Sequence, residues 1–257
     1  GPPLPEDLVL APTGSSLRSA IESSSPGETL YLGAGHYWED AEDLVVSRSI
    51  RIVGDLNEPA RVVVELGGAI QWLASSGTLA GVTLRRPRAS QSATSAITVK
   101  GKLCASHVSV DNEGAGGSAI VVDGFAYLGN CRISGAAKGS AVLVTQGSTA
   151  ALDRCSLVDT KTGLSVESGA ASIVIDSWLG PNQEESVKGL AKATVALEHC
   201  DVASSPPKLD PTAFLCSKNT LGVPDTVPRL LSLQPQEEDD AEVPKKPTKR
   251  SRGEYGN

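Results

Sequence analysis

Methionine is absent from the chain, and aromatic residues make up only 4% of it. A core built on large rings or pliable thioethers is thereby excluded, and the interior must come from Val, Ile, Leu and Ala. No apolar run approaches the ~18 residues of a membrane span, so no membrane partner is expected. The opening Gly1-Pro2 segment carries no secretory leader pattern. The five cysteines, Cys104, Cys131, Cys155, Cys200 and Cys216, are odd in number and form no Cys-x-x-Cys pair. That spacing excludes the common zinc and redox motifs and predicts reduced thiols in an intracellular protein with no metal and no cofactor. The formal net charge of −7 argues against a general nucleic-acid surface. Against these absences stand a 40% hydrophobic content and 26 glycines in 257 residues, enough for one large core with many tight turns.

Internal repetition decides the fold class. Residues 95–110 (SAITVKGKLCASHVSV), 118–133 (SAIVVDGFAYLGNCRI) and 140–157 (SAVLVTQGSTAALDRCSL) align almost without adjustment. Further copies cover 67–84, 162–179 and, in degenerate form, 188–202, for a repeat of about 22–24 residues. Each copy holds three short apolar stretches. The first places Ile70, Ile97, Ile120, Val142 and Leu164 in one column and Trp72, Val99, Val122, Val144 and Val166 two residues on. A period of two puts both columns on the same side of a strand. The second stretch contributes Leu79, Ala105, Leu128, Leu152, Val174 and Leu197. The third contributes Val82, Val108, Cys131, Cys155, Ser177 and Cys200, then Leu84, Val110, Ile133, Leu157, Leu179 and Val202. Three strands per repeat describe a three-sided coil whose turns stack at about 4.8 Å. Ankyrin and tetratricopeptide repeats are longer and helical, and the Leu and Asn signature of leucine-rich repeats is missing. Three cysteines thus fall in one inward column as small core residues. Cys131 and Cys155 lie on adjacent coils, where nothing requires a bridge.

At the N-terminal end, residues 1–14 are expected to be flexible. Ser15 or Ser16 caps a short helix with Leu17, Ala20 and Ile21 on its apolar face, and Pro26-Gly27 stops it. Such a helix would cover the open end of the first coil. The coil is assigned to 15–202. Residues 203–233, still carrying Leu209, Phe214, Leu215 and Leu221, are expected to fold back as a cap. From Gln234 the chain reads as a disordered tail, with an acidic run at 237–240 and then Lys245, Lys246, Lys249, Arg250 and Arg252. That basic cluster reads as a nuclear-import signal or an anion-binding tail, against the simpler alternative of a solvated tail.

The stretch from Ala20-Ile21 through Pro26-Gly27-Glu28-Thr29, Gly35-His36-Tyr37 and Ser49-Ile50-Arg51-Ile52-Val53-Gly54 resembles the opening of pectin-lyase-like proteins. The resemblance covers roughly 15–202 and implies an all-β, right-handed parallel β-helix. Within that superfamily the chain looks most like the non-catalytic coils of carbohydrate-binding and F-box or Shc-binding-type proteins. The resemblance also implies where chemistry would sit: on the outward face of the first strands, beside the loops after the third. The outward residues there are Gln71, Thr98, Val121, Leu143 and Ser165, none of them a carboxylate. One step on come Lys100, Asp123, Thr145 and Glu167. Asp123 and Glu167 fall two coils apart, about 9–10 Å, at the upper edge of an inverting glycosidase pair. The paired-Asp and Gly-His-Gly signatures of polygalacturonases and the clustered acids of a calcium site are missing.

A polar column precedes the third strands: His107, Asn130, Arg154, Asp176 and His199. It reads as a hydrogen-bonded ladder, since its two histidines are about 19 Å apart and cannot share an ion. The loops after the third strands vary most, and their charges are Arg85, Arg86, Arg88, Asp111, Glu113, Lys138, Asp159 and Lys161. Such an edge is where a solenoid recognises partners. The leading expectation is a non-catalytic module binding a protein segment or glycan through these loops. The alternatives are a polysaccharide-active enzyme using Lys100, Asp123 and Glu167, and a plain structural spacer.

Overall fold

The computed structural model describes residues 8–10, 16–40, 42–86, 95–113 and 116–223. Within them the chain winds as a right-handed parallel β-helix whose middle coils each give one strand to each of three sheets. One coil shows the plan: Ile97–Val99 lies in the first sheet, Lys102–Ser106 in the second and Ser109–Asp111 in the third. The three sheets hold eight, ten and seven strands, and every pairing is parallel.

The register follows the apolar columns. Ile70, Ile97, Ile120, Val142 and Leu164 are direct partners, and Val187 extends the column. Leu79, Ala105, Leu128, Leu152, Val174 and Leu197 align in the second sheet. Leu84, Val110, Ile133, Leu157 and Leu179 align in the third. All of these side chains are buried in one continuous core, with Trp72 wholly enclosed. At roughly 1.5–3 kcal/mol for each buried branched aliphatic side chain, this column is the main stabilising term.

The helix at the N-terminal end runs Leu17–Ser23. Ser16 accepts a hydrogen bond from the Ser19 amide, and Leu17, Ala20 and Ile21 are buried. It packs against Leu44–Val46 and Gly35–Glu39, as a cover for the first coil. Both ends of the solenoid reach further than the repeat pattern indicated. Leu8–Leu10, expected in a flexible lead, pairs in parallel with Thr29–Leu32. Beyond Val202, Lys208–Leu209 pairs with Glu185–Gly189, and Phe214–Lys218 pairs with Thr194–Glu198. Residues 208–218 are therefore a further coil and not a segment folded back over the last one. The tail from 224, with Lys245, Lys246, Lys249, Arg250 and Arg252, lies outside the described residues. No helix among the described residues is long and apolar enough to cross a membrane.

The polar column has a backbone cause. His107, Asn130, Arg154, Asp176, His199 and Asn219 all adopt positive φ, between 49° and 53°, and Gly81 occupies the same corner one coil earlier at 64°. A single left-handed residue turns the chain sharply from the second sheet to the third. Asn, Asp, His and Gly enter that region most readily. Asn130→Gly should therefore leave stability nearly unchanged, whereas Asn130→Val should cost about 1–2 kcal/mol, read as a shift in urea midpoint. Equal losses in both variants would instead point to a side-chain ladder.

After the corners at Asn130, Arg154, Asp176 and His199 the next residue faces inward and donates to a carbonyl, whereas Val82 and Val108 fill the same column without a donor. The Cys131, Cys155 and Cys200 thiols lie 3.2–3.4 Å from the carbonyls of Gly129, Leu128 and Val174, respectively, and the Ser177 hydroxyl lies 2.7 Å from that of Ile175. From Cys131 onward the column is thus a row of small donors as well as core filling. All five cysteines are unbridged. A hydrogen bond with Cys155, together with burial, pushes the Cys131 thiol well above its usual pKa.

Candidate functional site

Three surfaces qualify as sites: the outward face of the first sheet, the loops after the third sheet, and the corner between the second and third sheets. On the first sheet, Val45, Gln71, Thr98, Val121, Leu143, Ser165, Lys188 and Lys208 form one outward column in register. None can act as a carboxylate acid or base. Gln71 is held by a 3.0 Å hydrogen bond to Asp43 Oδ2. Beside this column, Asp123 Oδ1 accepts from the Thr145 hydroxyl at 2.9 Å, and Glu167 Oε2 accepts from the Gln146 amide at 3.2 Å. Each carboxylate thus fastens the turn of a neighbouring coil. Thr145 lies between them in register, and Lys100 is exposed on the coil before Asp123. Among the described residues no three His, Cys, Asp or Glu side chains converge to hold a metal ion.

The edge loops divide into several roles. Arg85 pairs with Glu65 at 3.7 Å, and Lys161 with Glu184 at 3.5 Å. Asp111 Oδ1 accepts the Glu113 amide at 3.2 Å and closes its own turn. Asp159 takes positive φ and donates its amide to the Pro181 carbonyl, and Lys138 is exposed. Arg88 lies outside the described residues. Arg86 departs from the expectation of a surface contact, being only 2% exposed. The two-residue alternation that turns Leu84 in and Arg85 out turns Arg86 in again at the corner. Its Nη2 donates to the Gly68 and Ser95 carbonyls, tying two coils together. Burial lowers its pKa, and nearby Asp43 pulls it back up. Arg86 is therefore a structural tie and not part of a recognition edge.

The third surface contains part of the polar column that the sequence displays, Arg154, Asp176 and His199, but neither Trp178 nor a cleft there was singled out in the sequence. At the C-terminal end of the corner row, an open cleft of about 370 Å³ is lined by Arg154, Asp176, Trp178, His199, Asp201 and Asn219. Trp178 points outward because Leu179 fills the core, and it is 47% exposed. Its partners in the same outward column are Ser156 and Asp201. The surrounding polar groups are held in place. His199 Nδ1 is 3.4 Å from Asp176 Oδ1, and Asn219 Nδ2 is 3.4 Å from His199 Nε2. Arg154 grips both oxygens of Asp153, at 3.2 and 2.9 Å, and Tyr127 donates to the same carboxylate at 3.1 Å. Those contacts lower the Asp153 pKa, with the Arg154 hydrogen bond the largest cause. The available signal was a tryptophan at an outward position where the aligned copies carry Ser109, Arg132 and Ser156.

Neither a family model nor a curated protein matches the sequence. Solved structures do match in shape. Pectin methylesterase PemA from Erwinia chrysanthemi superposes with a TM-score of 0.57 and 12% identity, over 87% of this chain and 92% of that one. The pectin methylesterase from Aspergillus niger gives 0.60 and 12%, over 88% and 89%. Pectate lyase Pel9A gives 0.55 and 11%, over 83% and 69%. At such identities the likeness establishes a shared fold, the right-handed parallel β-helix, while function must be argued from the site.

Proposed function

We propose that this β-helix is a non-catalytic binding module, which holds a ligand on its outer surface without transforming it. The observation that carries this reading is the outward column of the first sheet, from Val45 to Lys208. It presents amide, hydroxyl and alkyl groups over its first six positions and ammonium groups only at Lys188 and Lys208, so it has no carboxylate to act as acid, base or nucleophile in hydrolysis. Asp123 and Glu167 beside the column are occupied in fastening turns, and Asp43 in holding Gln71 and the Ala69 amide.

A second reading is favoured by the solved structures of the same shape, which are named as pectin methylesterases and a pectate lyase. In it, Lys100, Asp123 and Glu167 act on a polysaccharide. The two readings separate in one assay. Methylated pectin, polygalacturonate and neutral plant polymers are incubated with the protein and followed for methanol, reducing ends and unsaturated products. The binding reading expects no product above buffer. Product that disappears in Asp123→Ala or Glu167→Ala would establish the enzyme instead.

A further inference from the structure

We infer that the corner cleft around Trp178 is a saccharide subsite, and that its ligand is a neutral hexopyranose chain. The inference rests on the non-catalytic binding reading and names a surface and a ligand class for it.

The chemistry of the cleft is mixed in the way a sugar is mixed. A pyranose presents a flat patch of C–H groups ringed by hydroxyls, so it needs an apolar plate beside both donors and acceptors. Trp178 supplies the plate: its ring stands outward, nearly half exposed, on a strand whose core position is already filled by Leu179. Asp176 and Asp201 supply acceptors and Arg154 and Asn219 supply donors, while the two ring nitrogens of His199 are taken by Asp176 and Asn219. A few convergent polar groups around an apolar surface are the usual anatomy of a small-ligand site.

The arrangement is also pre-formed. Arg154, Asp176, His199 and Asn219 follow one another on successive coils, each fixed by its left-handed backbone. They make a row about 14 Å long. The Asp176–His199–Asn219 chain of contacts and the grip of Asp153 on Arg154 hold the side chains before any ligand arrives. These contacts reduce the rotamer freedom that binding would otherwise cost. The coil itself does not call for this tryptophan, since the same outward column is filled by Ser109, Arg132 and Ser156 on the preceding coils.

Charge selects the class of sugar. The Arg154 cation is already matched by Asp153, while Asp176 and Asp201 also face the cleft. A uronate would meet carboxylates there, whereas a neutral hexose would meet acceptors for its hydroxyls.

The test is calorimetric titration of the full chain with cellohexaose, mannohexaose, a β-1,3-linked glucan hexamer and hexagalacturonate. At least one neutral hexamer should bind more tightly than hexagalacturonate. Trp178→Ala should weaken that binding by about tenfold or more, and Trp178→Phe by less. The melting temperature of Trp178→Ala should stay close to that of the parent, because the ring lies outside the core. Three results would each overturn the subsite: no neutral hexamer bound up to about 10 mM, unchanged affinity in Trp178→Ala, or tightest binding to hexagalacturonate. A cleft that instead takes a protein segment would show itself by the first of these. Turnover of a polymer would count against the non-catalytic reading alone, so the two failures are distinguishable.

Discussion

Gly101→Val is expected to destabilise the protein by about 3 kcal/mol or more, lowering the melting temperature by roughly 6–12 °C. Gly101 turns the chain from the first sheet to the second. A Cβ there would overlap the Ala74 carbonyl oxygen, with the Ala74 carbon at 2.6 Å and the Leu73 oxygen at 2.8 Å. All three atoms are backbone, and they cannot retreat. The Lys102 amide bonds the same Ala74 oxygen at 2.9 Å, and the Gly101 amide bonds Trp72 at 3.0 Å. Gly124 repeats the problem one coil on, against the Gly101 and Lys100 oxygens. Gly147 is the control: its φ is 76°, yet nothing lies within 4 Å of an added Cβ. Gly147→Ala should cost only about 1 kcal/mol. Similar melting temperatures for Gly101→Val and Gly147→Ala would contradict the close stacking of coils at this corner.

Excising residues 120–141 should leave a folded, shorter protein. Ala119 would then run directly into Val142, and Ser118-Ala119-Val142 repeats the native Ser140-Ala141-Val142. Because Ile120 and Val142 are register partners, Ile97 would pair with Val142 and every sheet would lose one strand without a slip. Stability should fall by the contribution of a single coil and its interface. Excising only 120–130 keeps the alternation, since Cys131 and Ile133 take the places of Ile120 and Val122, but it puts the loop residues 136–139 where the Phe125–Gly129 strand belongs, and that chain should not fold. Circular dichroism with thermal melting separates the two. A folded product from both excisions, or from neither, would contradict a solenoid of interchangeable coils.

The columns were legible in the sequence because every inward position of the middle coils is apolar or small, and strand alternation leaves one solution. The corner residues were legible as a column, but their cause was not. The expected side-chain ladder forms over Asp176, His199 and Asn219, and the positive φ shared by His107, Asn130, Arg154, Asp176 and His199 is the backbone cause that the sequence does not display. Arg86 was misplaced because a loop rich in arginine suggests solvent, whereas one more step of alternation carries this one inward to the Gly68 and Ser95 carbonyls. The last coil was hidden by Pro206, Pro207 and Pro211. These lie in the connections on either side of the short Lys208–Leu209 strand and leave the Phe214–Lys218 ladder free to form. The Trp178 cleft was missed because its residues come from four coils and only stacking assembles them.

The most direct measurement of where this molecule recognises its ligand is a crystal structure of the protein soaked with the tightest-binding neutral hexamer. The account expects a sugar ring stacked on Trp178, with hydroxyls bonded to Asp176, Asp201 or Asn219. Density lying instead along the first sheet between Gln71 and Ser165 would contradict it and return that face to the role of an active surface.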